Sequence, residues 1–149
     1  MSLERLIFLC LEFNNRGVMP PEKLWGNIQK LMDVLEIIRA EYGKPIRITS
    51  GYRSQKYNDN LPQNKNKRKP TKSMHILCGG CDIKGVDGKV KEIGLIAKRL
   101  QDEGTIGGLG LGLYFVHIDL RNVISYANKY YRGFYNKMRS LKQWLRRSR

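Results

Sequence analysis

The clearest pattern along the chain is a run of apolar residues at helical spacing between residues 21 and 42. Five apolar residues recur every three or four positions in it: Leu24, Ile28, Leu31, Leu35 and Ile38. This spacing places them on one face of a helix. Pro20 and Pro21 stand where a first helical turn tolerates proline, and Gly43 supplies a stop. We predict a helix over residues 21–42 that serves as core scaffold.

A second amphipathic pattern predicts a helix over residues 89–102. Its apolar positions are Val90, Ile93, Ile96 or Ala97, and Leu100. Gly104 then ends the helix. Shorter patterns predict helices over residues 3–13 and 123–147, and one helical turn over residues 55–59.

Two stretches, residues 46–49 and 114–120, have the alternating pattern of strands. Between the helices, residues 85–88 are predicted to form a turn. Residues 61–72 are predicted to form an exposed loop, because they contain five basic residues and no apolar period. The glycine-rich residues 107–113 lack the flanking strand and helix of a dinucleotide fingerprint. Their glycines are expected to allow close backbone approach to the candidate metal region or to form a bulge.

The charge of the chain is unusual, since 28 basic and 13 acidic residues give a net charge of +15 over 149 residues. The length favours one domain. Residues 1–122 are expected to form its body, and residues 123–149 a basic helical extension of it. The loop 61–72 and the tail 129–149 carry five and eight basic residues. We expect these two segments to bind a polyanion, either nucleic acid or an anionic wall polymer.

No apolar run is long enough for a membrane helix. Residues 6–11 are apolar, but they lack the flanks of a signal peptide. The expected location is therefore cytoplasmic, and any action outside the cell would need another route out, such as lysis of a host. The three cysteines, Cys10, Cys78 and Cys81, do not form a disulfide framework. Cys78 and Cys81 are compatible with a redox pair or a zinc knuckle, but we favour buried thiols.

The candidate chemistry centres on the two histidines of the chain, His75 and His117, each of which lies near an aspartate. Two histidines and one carboxylate, with a fourth position open, form a ligand set that catalytic zinc uses. We therefore propose His75, Asp82 and His117 as ligands of Zn²⁺. The alternatives are a histidine in an ordinary core or surface position and an aspartate that caps a turn.

Several ordered motifs resemble those of the zinc D-alanyl-D-alanine carboxypeptidase family, and most closely its small carboxypeptidase-like branch. The resemblance runs from Glu12–Phe13 to Asp119. Its motifs are residues 44–54, Tyr57-Asn58, Ser73-x-His75, Asp82-Ile83, Gly107-Gly108-x-Gly110 and Val116-His117-Ile-Asp119. Relatives of the family include dipeptidases, phage endolysins, murein endopeptidases and the hedgehog amino-terminal domain.

This resemblance implies an α+β fold of the hedgehog and DD-peptidase kind, in which helices pack on a small antiparallel sheet that carries the metal ligands. It implies zinc ligands at His75, Asp82 and His117, and a substrate-facing role for Arg53. A guanidinium suits this role because it can clamp a carboxylate or a developing oxyanion. A solvated Arg53 is the alternative. Tyr52, Ser73 and Tyr114 are further candidates for substrate binding.

The chain departs from the family pattern at three places. Cys78 and Cys81 replace small residues, and the segment between Asn58 and Ser73 is longer and more basic than usual. Family members supply a general base two or three residues before the last histidine, where this chain has Phe115 and Tyr114. Asp119 shares a strand face with His117. It is our candidate as the base or as a residue that positions a ligand, and a turn residue at the strand end is the alternative.

The expected activity is zinc-dependent hydrolysis of peptide bonds in peptidoglycan stem peptides by a monomeric protein, of the carboxypeptidase or endolysin type. The rival hypothesis is a non-catalytic protein that binds DNA or another polyanion on a zinc-stabilised scaffold. The charge of +15 fits the rival at least as well.

Overall fold

The structure, a computed structural model, describes residues 18–68 and 72–121 together with residue 146. The predicted helices over residues 3–13 and 123–147 lie outside the described residues, apart from Arg146. The same is true of Cys10. In the described part of the chain, no helix is long and apolar enough to cross a membrane.

Three helices and four strands follow one another along the described chain. They are α1 (Trp25–Tyr42), β1 (Ile46–Ser50), α2 (Gln55–Asp59), β2 (Gly80–Gly85), α3 (Lys91–Asp102), β3 (Gly108–Leu111) and β4 (Val116–Asp119). A 3₁₀ turn, Glu22–Leu24, leads into α1. The predicted helices over residues 21–42, 55–59 and 89–102 are thus confirmed, with α3 beginning two residues later than expected.

Local signals set the ends of these helices. Gly43 adopts a left-handed conformation, with φ of 69°, and its N–H donates to the carbonyl oxygen of Arg39 at 3.0 Å. Ser54 caps α2, where its side chain accepts a hydrogen bond from the N–H of Tyr57 at 3.2 Å. Residues 51–54 connect the β1 strand to α2, and this short loop contains Tyr52 and Arg53.

The four strands form one antiparallel sheet in the order β1-β2-β4-β3. The predicted strands are present as β1 and β4, although β4 is shorter than residues 114–120. Strands β2 and β3 were not predicted. The β3 strand lies in the glycine-rich stretch, which therefore continues the sheet as an edge strand beside β4.

One apolar core joins the sheet to the helices. It includes Leu31 and Ile38 of α1, Ile93 of α3, and Ile83 and Ile118 of the two central strands. Since side chains alternate across a strand, the residues between these apolar positions lie on the opposite face of the sheet. That face carries the residues proposed as metal ligands. The sheet and the helices packed on it confirm the predicted α+β fold with a small antiparallel sheet.

Candidate metal centre

The structure brings together the three residues proposed as metal ligands. His75 lies in the turns that precede β2, Asp82 lies in β2, and His117 lies directly opposite Asp82 in β4. One ligand atom from each residue falls within 4.8 Å of the other two, and all three residues are buried. The β2–β4 register thus pairs two of the ligands, and the preceding loop adds the third.

The spacing of the ligand atoms suits a small tetrahedral metal ion. Oδ1 of Asp82 lies 2.8 Å from Nδ1 of His117 and 3.4 Å from Nε2 of His75. The two ring nitrogens are 3.2 Å apart. Tetrahedral zinc with bonds of about 2.0–2.1 Å has ligand atoms roughly 3.3 Å apart. The three residues therefore fit zinc in both donor type and spacing.

The second ring nitrogen of each histidine is bound on the side away from this cluster. Nδ1 of His75 lies 2.7 Å from the carbonyl oxygen of Gly51, and Nε2 of His117 lies 3.1 Å from Oδ2 of Asp119. Both oxygens are acceptors, so each of these nitrogens donates its proton. With an ion bound, the lone pairs on Nε2 of His75 and Nδ1 of His117 would then face it. Without an ion, a proton on either nitrogen can be donated to Asp82.

Arg53 contacts the cluster rather than extending into solvent. Its Nη2 donates to Oδ2 of Asp82 at 2.8 Å, and its Nε and Nη2 donate to the hydroxyl oxygen of Ser50 at 3.0 and 2.9 Å. The side chain is only 18% exposed. Arg53 therefore holds the carboxylate oxygen of Asp82 that does not face the histidines.

Asp119 lies beside His117 and is fully buried, with 0% exposure. Its partners are Nε2 of His117 and the side chain of Arg121, whose Nε donates to Oδ1 at 2.7 Å and whose Nη2 donates to Oδ2. Arg121 was not among the residues expected from the sequence. Its position two residues after Asp119, just beyond the end of β4, was the available signal.

The charges of the cluster shift its pKa values in a consistent way. Burial would raise the pKa of Asp82, but hydrogen bonds from His117 and His75 outweigh burial and hold it far below its usual range. Burial likewise opposes the lowering of the Asp119 pKa, which the hydrogen bonds from His117 and Arg121 produce. Both carboxylates are thus ionised at neutral pH, as a metal ligand and its supporting group should be.

The two histidines differ from each other. Burial lowers the pKa of His75. The pKa of His117 is raised because its hydrogen bonds to Asp119 and Asp82 outweigh burial. A cation that binds at Nδ1 of His117 would compete with a proton there.

The other expected residues lie at different distances from the cluster. Ser73 is adjacent to it, since its hydroxyl oxygen accepts a hydrogen bond from the N–H of His75 at 3.3 Å. Tyr52 is buried next to Arg53, and burial raises the pKa of its phenol. Tyr114 is 68% exposed.

In the described part of the chain, the ligand cluster includes neither Cys78 nor Cys81. Both are buried and neither forms a disulfide bond, so the expectation of buried thiols is confirmed.

Comparison with protein-family models identifies a family for the chain. A family model described as Peptidase M15 matches residues 2–119. The match includes all three ligand candidates as well as Arg53 and Asp119. No curated protein and no solved structure gives a significant match to the chain.

Proposed function

The chain belongs to the peptidase M15 family, and we propose that it cleaves peptide bonds in the stem peptides of bacterial peptidoglycan as a D-alanyl-D-alanine carboxypeptidase or as an endolysin. Family membership implies a zinc peptidase that acts on substrates of the peptidoglycan type. The structural observation that supports this activity is the buried group of His75, Asp82 and His117, whose ligand atoms have the spacing of a tetrahedral zinc site.

Different residues are proposed to bind the metal ion and to keep its ligands in position. When bound, zinc supplies Lewis-acid polarisation of a carbonyl group and activation of water. His75, Asp82 and His117 would hold the ion in a pocket of low solvent exposure, where electrostatic interactions are strong. Arg53 and the hydrogen bonds to Gly51 and Asp119 keep these ligands in place before any substrate arrives.

Arg53 is proposed to bind substrate as well as Asp82. The hydrogen bonds described for its side chain use Nε and Nη2. This leaves Nη1 for a carboxylate or a developing oxyanion of the peptide, a contact that a guanidinium makes well. Ser73, Tyr52 and the exposed ring of Tyr114 are proposed to line the same substrate site.

Two roles are proposed for Asp119, and its contacts support the positioning role better. Its carboxylate binds Nε2 of His117, on the opposite edge of the ring from Nδ1, and it is fully buried. A general base must reach the proton that it removes. Asp119→Asn should therefore weaken zinc binding by roughly 10–100-fold. Loss of turnover at an unchanged zinc affinity would instead favour the role of base.

Digestion of purified peptidoglycan fragments tests the proposed activity. The zinc-loaded protein should release terminal D-alanine if it is a carboxypeptidase, or cut within the stem peptide if it is an endolysin. Mass spectrometry of the products distinguishes these cleavages, and His75→Ala provides the matched inactive control. The absence of any new product from the zinc-loaded protein would contradict the proposal.

The second candidate function is polyanion binding without catalysis, and the net charge of +15 favours it. The basic loop 61–72 and tail 129–149 are proposed to contact DNA or wall polymers. Such binding should weaken steeply with salt, because the Debye length falls from about 10 Å at 0.1 M to about 3 Å at 1 M. A salt titration of binding to DNA and to wall material, with and without residues 129–149, tests it. Equally tight binding by the truncated protein at low salt would show that residues 129–149 do not contribute to polyanion binding.

We also propose that the protein is a monomer that reaches the cell wall after release from the cell or as a phage protein. Activity on intact walls added from outside would agree with this route.

A further inference from the structure

We propose that Arg121 is a positioning residue that, in the space left by Gly107 and by Gly108 at the start of β3, holds the carboxylate of Asp119 against His117 and thereby sets the affinity of the metal centre. This inference rests on the zinc site of the proposed function. Arg121 is not itself a proposed metal ligand, and it acts on the ligand His117 through Asp119.

The first support is the number of hydrogen bonds at Asp119. Oδ1 accepts from Nε of Arg121 at 2.7 Å and from the backbone N–H of Arg121 at 3.2 Å. Oδ2 accepts from Nη2 of Arg121 and from Nε2 of His117. A two-pronged guanidinium contact fixes the plane of a carboxylate, which a single point charge does not do. The orientation of Oδ2 toward His117 is therefore set by Arg121.

The second support is the space that three glycines leave around Asp119 and Arg121. Gly108 pairs with Asp119 across β3 and β4. A Cβ atom on Gly108 would overlap the carboxylate of Asp119, and one on Gly107 would overlap the carbonyl oxygen of Arg121. On the other side, a Cβ on Gly80 would come within 2.9 Å of Cβ of Asp119. Neither Gly107 nor Gly108 has a left-handed φ, so the need for space, rather than backbone conformation, explains these residues.

The consequence falls on the ring of His117. Rotation of an imidazole by half a turn about its Cβ–Cγ bond exchanges Nδ1 with a ring carbon. Nδ1 lies 2.8 Å from Oδ1 of Asp82 only while Nε2 stays bound to Asp119. An Asp119 that is free to turn would allow the other ring orientation, in which a carbon stands at the ligand position. Arg121 and the glycines thus act on the metal through Asp119 and His117.

Zinc affinity of the full-length protein, measured by competition with a chromogenic chelator, tests the inference without reference to activity. Arg121→Gln should weaken zinc binding by roughly 10–100-fold, and Arg121→Lys, which keeps the charge but loses the two-pronged contact, should fall between it and wild type. Gly108→Ala should weaken binding through displacement of Asp119. The matched controls are Arg47→Gln on an exposed arginine and Gly26→Ala, where an added Cβ has no atom within 4 Å.

A second measurement separates positioning from a general loss of structure. Nitrogen-15 NMR of the metal-free protein reports which ring nitrogen of His117 carries the proton. Arg121→Gln should change the signals of His117 more than those of His75, whose Nδ1 keeps its hydrogen bond to the carbonyl oxygen of Gly51. If Gly108→Ala does not fold, the Arg121 variants decide alone.

Wild-type zinc affinity in Arg121→Gln would overturn the inference, as would an equal loss of affinity in Arg47→Gln. A wild-type protein that binds zinc but cleaves no peptidoglycan would contradict the proposed function and leave this comparison intact. A wild-type protein that binds no zinc would overturn both.

Discussion

Both faces of the sheet are buried where β2 pairs with β4, but different interactions hold them. On the face toward the helices, β2 and β4 place apolar side chains: Cys81, Ile83, Val116 and Ile118. On the other face, the intervening positions of the same strands carry Asp82, His117 and Asp119. All of these residues are buried. One face is therefore stabilised by apolar packing, and the other by hydrogen bonds and ion pairs among ionisable groups.

This difference predicts how each face tolerates change. Apolar packing is non-directional, so a residue of similar volume can replace another at modest cost. A buried ionised group has a particular partner, and removal of that partner leaves an uncompensated charge. Substitutions on the helix face should therefore act on stability, whereas those on the other face should act on metal binding.

The largest expected effect is the loss of the metal from the ionisable face. His75→Ala removes one of three ligands, so bound zinc should fall from about one ion per chain to near zero. Elemental analysis of the purified protein measures this, and circular dichroism shows whether the variant is folded. An equal zinc content in wild type and His75→Ala would contradict the assignment of His75 as a ligand.

An intermediate effect is expected from the apolar face. Ile118 lies between His117 and Asp119 in β4 and is fully buried in the core. Ile118→Ala should reduce the free energy of unfolding by about 2–5 kcal/mol, and Ile118→Val by about 0.5–1.5 kcal/mol. Urea unfolding measures both. The zinc affinity of the folded protein should change little, and a change as large as that in Arg121→Gln would break the separation of the two faces.

The smallest effect concerns acid stability of the metal-free protein. The pKa values of Asp82 and Asp119 are lowered by folding, from about 3.9 for an unfolded aspartate. Their contribution to stability is present above about pH 4 and is lost as pH falls through the folded pKa values, since the unfolded chain binds more protons there. Asp119→Asn removes one of the two groups, so its stability should fall less steeply with acid. Urea midpoints measured at several pH values give the slopes, and identical slopes would contradict the prediction.

The two longer helices, α1 and α3, could be predicted from the sequence because each has one apolar face at a regular spacing. Strands β2 and β3 could not. In β2, the residues that point away from the helices are Gly80, Asp82 and Lys84, and in β3 two of the four residues are glycines. Glycine and charged residues weaken the strand signal. The structure shows that Gly108 makes room for Asp119, a contact that depends on the pairing of β3 with β4.

The metal ligands were identified through ordered motifs, because spacing alone does not bring His75 and His117 together across 42 residues. Arg121 could not be recognised from a motif. A surface arginine near the end of a strand is common, and only the burial of Asp119 shows that Arg121 must compensate its charge. The contact of Arg53 with Asp82 likewise required the turn after β1 to be placed against the β2 strand.

The most direct test of the zinc site is anomalous X-ray diffraction from crystals of the zinc-loaded protein at the zinc edge. One strong peak is expected within about 2.0–2.2 Å of Nε2 of His75, Nδ1 of His117 and an oxygen of Asp82. Nε2 of His117 should remain bound to Asp119. A peak at Cys78 and Cys81, a peak on Nε2 of His117, or no peak near His75 would contradict it.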